Sequence, residues 1–378
     1  MRPDDLGALP PVARLMVRLC EIPSPSRQET AVAEVVRAQL RELGAQVHED
    51  DAAATLPAGC GNIVGRFAAT APGTPIMFGA HLDTVPVTGA IEVELTEGRL
   101  RNRHEAILGG DNKAAVAVVL EAMRQVVAEG RPHAGVELVF TPCEVIGLRG
   151  AHVFDPSALA ARVGFVYDHT GPVGDLVGSA PSLHRITATF VGRSAHAGIT
   201  PESGRSAITA AARAIARMPL GRIDPETTAN VGTIGGGTAT NVIAERCTIT
   251  AEARSRDERT LGIQLTAMLD ALTWAASECE VDLETHVERE FTAYRVGDGD
   301  PQVAMAMRVL AGLGHAPRLV PSGGGSDVNA FLLNGFPAVN LCNGMTDVHT
   351  PDESIAVVSL EQMLDVTLGL VDAARAEA

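Results

Sequence analysis

The chain is short of cysteine pairs, of positive charge and of long apolar runs, and each shortage excludes something. Its six cysteines (Cys20, Cys60, Cys143, Cys247, Cys279 and Cys342) lie far apart with no C-x-x-C pair. A thiolate zinc knot or a redox centre is therefore not expected, and the thiols read as reduced core residues. Basic residues number 30 against 46 acidic ones, for a formal charge of −16. That balance disfavours nucleic acid and anionic membranes, both of which reward basic patches, and the acidity reads as a solubility surface. No stretch approaches the roughly 18 uninterrupted apolar residues of a membrane span. The opening residues, MRPDDLGALPPVARL, have neither an apolar signal core nor a cleavage pattern, so a cytoplasmic location is expected. Internal repeats and a low-complexity tail are missing too. What is present is length, since 378 residues suffice for two domains with a core each.

Through the first half, short apolar strands alternate with amphipathic helices, the pattern of an α/β sheet. Ser26-Arg-Gln-Glu29 reads as a capping box before a helix carrying Val32, Val35, Val36 and Leu40, with Gly44 at its end. Strands are expected at 61–67, 75–81, 135–142 and 163–169, and a helix at about 112–129. From about residue 182 the rhythm changes to alternating half-buried strands, with helices expected near 203–217 and 258–278, as in a self-contained α+β insert. After it the first rhythm returns in PQVAMAMRVLAGLG, PAVNLC and a C-terminal helix.

The residues with chemistry fall at regular places. His81, Glu144 and Asp168 each close an apolar strand, and Asp111 opens a helix. Ligands converge outside the carboxyl ends of strands in open α/β sheets. His, Asp and Glu form the donor set for zinc or a similar divalent ion. His81-x-Asp83, read as strand, puts both side chains on one face, so that one binds metal while the other fixes its imidazole. With His349 of DVHTPDES these residues suggest a two-metal hydrolase centre. Such a centre wants two adjacent acids at 144–145, one for proton transfer and one for metal. Here Glu144 is followed by Val145.

GAHLDTVP, ILGGDNKAA, FTPCEVIGLRG, VYDHTGPVG, GRSAHAGITPESGRSAI, GRIDPETTANVGTIGGGTATNVI, AEARS, GGGSDVNAF and DVHTPDES span almost the whole chain in order. Together they resemble the peptidase T-like members of the di-zinc aminopeptidase, aminoacylase and glutamate-carboxypeptidase superfamily. The resemblance implies an α/β catalytic domain with a mixed central sheet flanked by helices, over residues 1–180 and 292–378. It also implies an inserted α+β lid domain, over residues 181–291, through which the chain forms a homodimer.

The same resemblance implies residue roles. His81 and Asp168 would hold the first metal, Asp111 would bridge to a second, and His349 would bind that second ion. Glu144 would be the general base and Asp83 would orient His81. His196, from the lid, would reach a neighbouring active site and steady the oxyanion. Asn241, Arg254, Gly324 and Gly325 would hold substrate, although Arg254 can equally be a salt-bridge residue of the lid. Val145 falls on the expected ligand of the second metal, so one zinc, or manganese or cobalt in its place, should be held tightly and the second weakly or not at all. The expected function is hydrolysis of a short peptide or an N-acyl amino acid. Altered amide or amidine chemistry and a non-catalytic binding role are the alternatives.

Overall fold

The apolar runs of the first half become the middle of a mixed sheet in the computed structural model, which describes residues 7–376. Four neighbouring strands, Val136–Thr141, Ile76–His81, Val163–His169 and Ala338–Cys342, run parallel. Ile63–Phe67 and Gln46–Glu49 extend one side antiparallel, and Asp175–Ala180 pairs antiparallel on the other. Val136–Thr141 and Ile76–His81 are buried at every position. Parallel strands covered by helices read as continuous apolar runs for this reason.

The helix Gly110–Ala128 packs on the Ile76–His81 and Val163–His169 strands and on the helices Pro11–Cys20 and Val357–Ala376. It is buried almost all round, which its run of alanines and valines permits. The short helix Asp327–Leu333 packs on Ile76–His81 and Ala338–Cys342. A small separate sheet joins Met345–Thr346, Ser354–Ala356, Arg99–Asn102 and Val93–Thr96 in that order.

The chain clusters into two compact units. One comprises Met1–Gly178, Arg295–Ser322 and Ser326–Ala378, and the other Ser179–Tyr294 with Gly323–Gly325. The second unit has a five-stranded antiparallel sheet in the order Gly221–Asp224, Thr227–Gly236, Arg246–Ser255, Ser182–Val191, Asp282–Phe291. Arg246–Ser255 alternates buried and part-exposed residues, the period-two pattern of a strand with one face on a core. That core is small-residue-rich, with Ala207, Ala210, Ala211 and Ala214 from one helix and Met268, Ala271, Leu272 and Ala275 from the other packed around Ile186, Phe190 and Ile249. Among the described residues no helix is long and apolar enough to cross a membrane.

Three local expectations are corrected. The helix expected after the capping box spans Thr30–Glu42 with Glu29 at its N-cap position, and neither the Ser26 nor the Glu29 side chain caps it. Ser26 instead donates to Asp83 Oδ2 at 2.6 Å, and Glu29 accepts from the amides of Arg27 and Gly59. The helix expected from about 203 starts at Ala207, with Ser206 accepting at its N-cap from Thr209 N–H, after a 3-10 turn at Pro201–Ser203. Lastly, the strand through His81 ends there, so Asp83 lies beyond the sheet and does not share a pleated face with it.

Candidate metal centre

The parallel register brings four strand ends to one edge, and His81 stands at the middle of it. Its ring is 1% exposed. Nδ1 lies 2.9 Å from the main-chain carbonyl of Asp83, and a carbonyl can only accept, so Nδ1 carries a proton and Nε2 is the nitrogen turned toward the acids. Nε2 faces Asp111 Oδ1 at 3.5 Å, Asp168 Oδ1 at 3.6 Å and Glu144 Oε2 at 3.8 Å. Donor atoms of His81, Asp111 and Asp168 all lie within 4.8 Å of one another. Tetrahedral ligands about 2.1 Å from a zinc ion are about 3.4 Å apart, so this triad fits a divalent cation.

Asp111 stands at the start of its helix, joined to Asn112 by a cis peptide. Its second oxygen, Oδ2, lies 3.1 Å from His349 Nε2. One carboxylate thus addresses two imidazoles through different oxygens, the arrangement a bridging ligand needs. His349 is half exposed at a positive φ of 68°.

The charges follow from burial and proximity. Burial opposes a charge on His81, but Glu144, Asp111 and Asp168 outweigh it and hold the imidazolium well above its usual pKa. Burial pushes Asp168 up to about 7. It also drives Glu144 well above the usual carboxylate range; His81 opposes that rise, while Asp168, Asp327 and Asp83 add to it. Asp111 goes the other way, because hydrogen bonds with His349 and His81 overcome burial. Acids this crowded around one nitrogen favour positive charge among them, carried by the protonated ring or by a bound cation.

The supports are as specific as the donors. Asp83 Oδ1 accepts from Glu144 N–H at 2.9 Å and Oδ2 from Val145 N–H at 3.2 Å. Its carboxylate therefore holds the main chain of Glu144 and Val145, and reaches His81 Nδ1 only at 3.6 Å. Asn340 and Asp168 exchange two side-chain-to-main-chain bonds of 2.8 and 3.0 Å. Val145 is half-buried and brings an amide but no side-chain donor.

Two carboxylates went unassigned in the sequence. Asp327, 2% exposed, accepts from Thr141 Oγ1 at 2.5 Å, and its other oxygen has no partner among the described residues. Burial pushes it up to about 6. Glu353 accepts from the amides of Gly109 and Asp111. The GGGSD and HTPDES motifs contain both, but nothing in the sequence marks either as buried.

Residues 62–188 match the model of Peptidase family M28, and residues 181–278 match that of the Peptidase dimerisation domain of M20 peptidases. Uncharacterized protein YqjE of Bacillus subtilis is 34% identical over 95% of this chain and 96% of its own length. Aminopeptidase PepT from Bacillus cereus is 35% identical over 96% of this chain and 98% of its own, with a TM-score of 0.84. A tripeptidase from Staphylococcus aureus is 32% identical over 97% and 98%, with a TM-score of 0.89. The chain belongs to the peptidase T-like M20 metallopeptidases.

In this M20 peptidase the expected lid residues all fall in the second unit. His196 is exposed and bridges in antiparallel fashion to Val242, beside Asn241, whose carbonyl accepts from Ala197 N–H at 2.9 Å. Arg254 makes a bidentate pair with Glu252 at 2.8 and 3.1 Å, the salt-bridge geometry foreseen as its alternative. Gly325 has a packing reason to be glycine, because a Cβ there would meet the Phe291 ring at 2.6 Å.

Proposed function

We propose that this metallopeptidase cleaves the amide bond of a short peptide with Glu144 as general base. The observation that carries the reading is the cluster of His81, Asp111 and Asp168 donors with Glu144 Oε2 3.8 Å from the same imidazole nitrogen. These three residues would hold one divalent cation firmly, zinc first, with manganese or cobalt as alternatives. Bound there, the ion supplies the positive charge that lowers the pKa of a water to about 7 and polarises the carbonyl.

The remaining chemistry belongs to the chain. Burial raises the proton affinity of Glu144, which suits a base that takes a proton from water and returns it to the leaving amine. Asp83, by bonding the amides of 144 and 145, keeps that base in place as its charge changes. A second cation would rest on Asp111 and His349, since Val145 offers no donor. Two protein ligands are fewer than the three of an open catalytic zinc site, so the second ion is weakly held or absent.

On this reading residues 1–180 and 292–378 form the catalytic domain and 181–291 the lid. The match of 181–278 to a dimerisation domain supports pairing of two copies through the lid. His196 would then help stabilise the oxyanion, while Asn241, Arg254, Gly324 and Gly325 hold the substrate's far end. The similarity to proteins described as an aminopeptidase and a tripeptidase favours a short peptide over an N-acyl amino acid, and we place the enzyme in the cytoplasm.

The test is a panel of tripeptides, dipeptides and N-acyl amino acids offered to the protein before chelation, after it, and after return of zinc, manganese or cobalt. Turnover of the peptides should follow the metal. Glu144→Ala should lower kcat by about 10²–10⁴-fold while the first metal equivalent stays bound. Turnover indifferent to chelation would remove the metal from the mechanism, and full activity in the Glu144 variant would remove the base.

A further inference from the structure

The segment that presents His349 also carries Glu353, which the roles above leave unused. Its carboxylate is 1% exposed. One oxygen accepts from Gly109 N–H at 2.9 Å and the other from Asp111 N–H at 3.0 Å. A carboxylate buried that deeply is costly unless both oxygens find donors. Here the donors are amides at the start of the Gly110–Ala128 helix, where main-chain N–H groups lack intrahelical partners and an anion is favoured. Lys113, also buried, lies close enough to Glu353 for their charges to interact. Its Nζ is tied to Ile22 O at 2.5 Å.

Glu353 is itself anchored from the next residue on. Ser354–Ala356 pairs antiparallel with Arg99–Asn102, and Arg99 bonds the Ser354 hydroxyl at 3.0 and 3.1 Å. A paired strand therefore holds the glutamate, and the glutamate grips the turn that carries Asp111. Four residues before it in the chain stands His349, with its Nε2 3.1 Å from Asp111 Oδ2.

We propose that Glu353 is a positioning residue of the metal centre, whose carboxylate locks the 109–111 turn to the 349–353 segment so that Asp111 and His349 are set before a cation arrives. The proposal rests on the reading of Asp111 and His349 as ligands. It carries more weight in this chain than it would beside an acid at 145. With Val145 in that place, the second position depends on two side chains, and every degree of freedom left in them weakens it.

The test measures zinc affinity of the full-length chain by chelator competition for the unchanged protein, Glu353→Gln and Glu353→Asp, with circular dichroism as the check on folding. Glutamine keeps the size but turns an NH₂ toward a main-chain N–H. It should weaken zinc about 10–100-fold and shift the visible spectrum of the cobalt(II) form. Aspartate keeps both acceptor oxygens on a shorter stem and should recover part of that loss. A folded Gln variant with unchanged zinc affinity and an unchanged cobalt spectrum overturns the proposal.

If neither variant folds, hydrogen exchange on the unchanged protein decides. The amides of Gly109 and Asp111 should be protected without metal and change little when zinc is added. Fast exchange that slows only with zinc would mean that no lock exists beforehand. Peptide hydrolysis enters none of these readouts. A chain that behaves as expected here yet cleaves no peptide supports the lock and refutes the peptidase mechanism.

Discussion

At the scale of the residue, Val145 contributes through its amide, which donates to Asp83 at 3.2 Å. A glutamate in its place keeps that bond and adds a carboxylate on the side chain. Val145→Glu should therefore tighten the second zinc equivalent by about 10–100-fold and leave the first unchanged, as read by stepwise chelator competition. An unaltered second equivalent would sink the idea that one missing ligand sets the weakness. His81, Asp111, Glu144 and Asp168 were legible in the sequence because strand and helix boundaries flank them. Glu353 and Asp327 were not. An acid in a sequence looks like a surface group, and only packing by distant residues, such as Thr141 against Asp327, makes it otherwise. Asp83 was expected to orient the ring of His81, but its carboxylate serves the main chain of 144 and 145 more closely than that ring.

At the scale of the element, the strand Val163–His169 delivers Asp168 to the centre and is tied from behind. Tyr167, its neighbour, buries a hydroxyl 3.0 Å from Thr367 Oγ1 on the C-terminal helix. Both hydroxyls also donate to Met363 O, Thr367 at 2.7 Å and Tyr167 at 3.3 Å. Tyr167→Phe should cost about 0.5–1.5 kcal/mol in urea unfolding without changing zinc affinity. A fall in affinity like that of a ligand variant would show instead that this bond aims Asp168. Strands and long helices were readable because their apolar periods are strong. The glycine end of the Thr30–Glu42 helix, Gly44 at a φ of 82°, was readable too, but its N-terminal cap was not, since Ser26 has a local partner on paper and a better one 57 residues away in Asp83.

At the scale of the whole molecule, the proposed cation donors all belong to one unit, and the inserted unit has its own core. Zinc at a hundredfold over its Kd should add about 2.7 kcal/mol to the unit that binds it. Calorimetry should accordingly show one zinc-sensitive transition and one indifferent to it. The increment should shrink from pH 8 to pH 6, because zinc must displace the proton favoured on His81 and compete with a carboxyl at Asp168 held up to about 7. A shift that grows on acidification would contradict that competition.

The separation of donors along the chain has a further consequence, in time. Asp168 precedes the insert, whereas Asn340, which pins it, and Glu353, which grips the turn of Asp111, follow it. During synthesis at about 5–20 residues per second, the first ligands leave the ribosome about ten to forty seconds before their supports. The insert can fold in that interval while the parallel sheet stays open along the strand that Ala338–Cys342 will cover. The triad of His81, Asp111 and Asp168 is thus made before the insert, whereas His349 and both supports come after it, and the proposed second position can be assembled only once that later segment has been made.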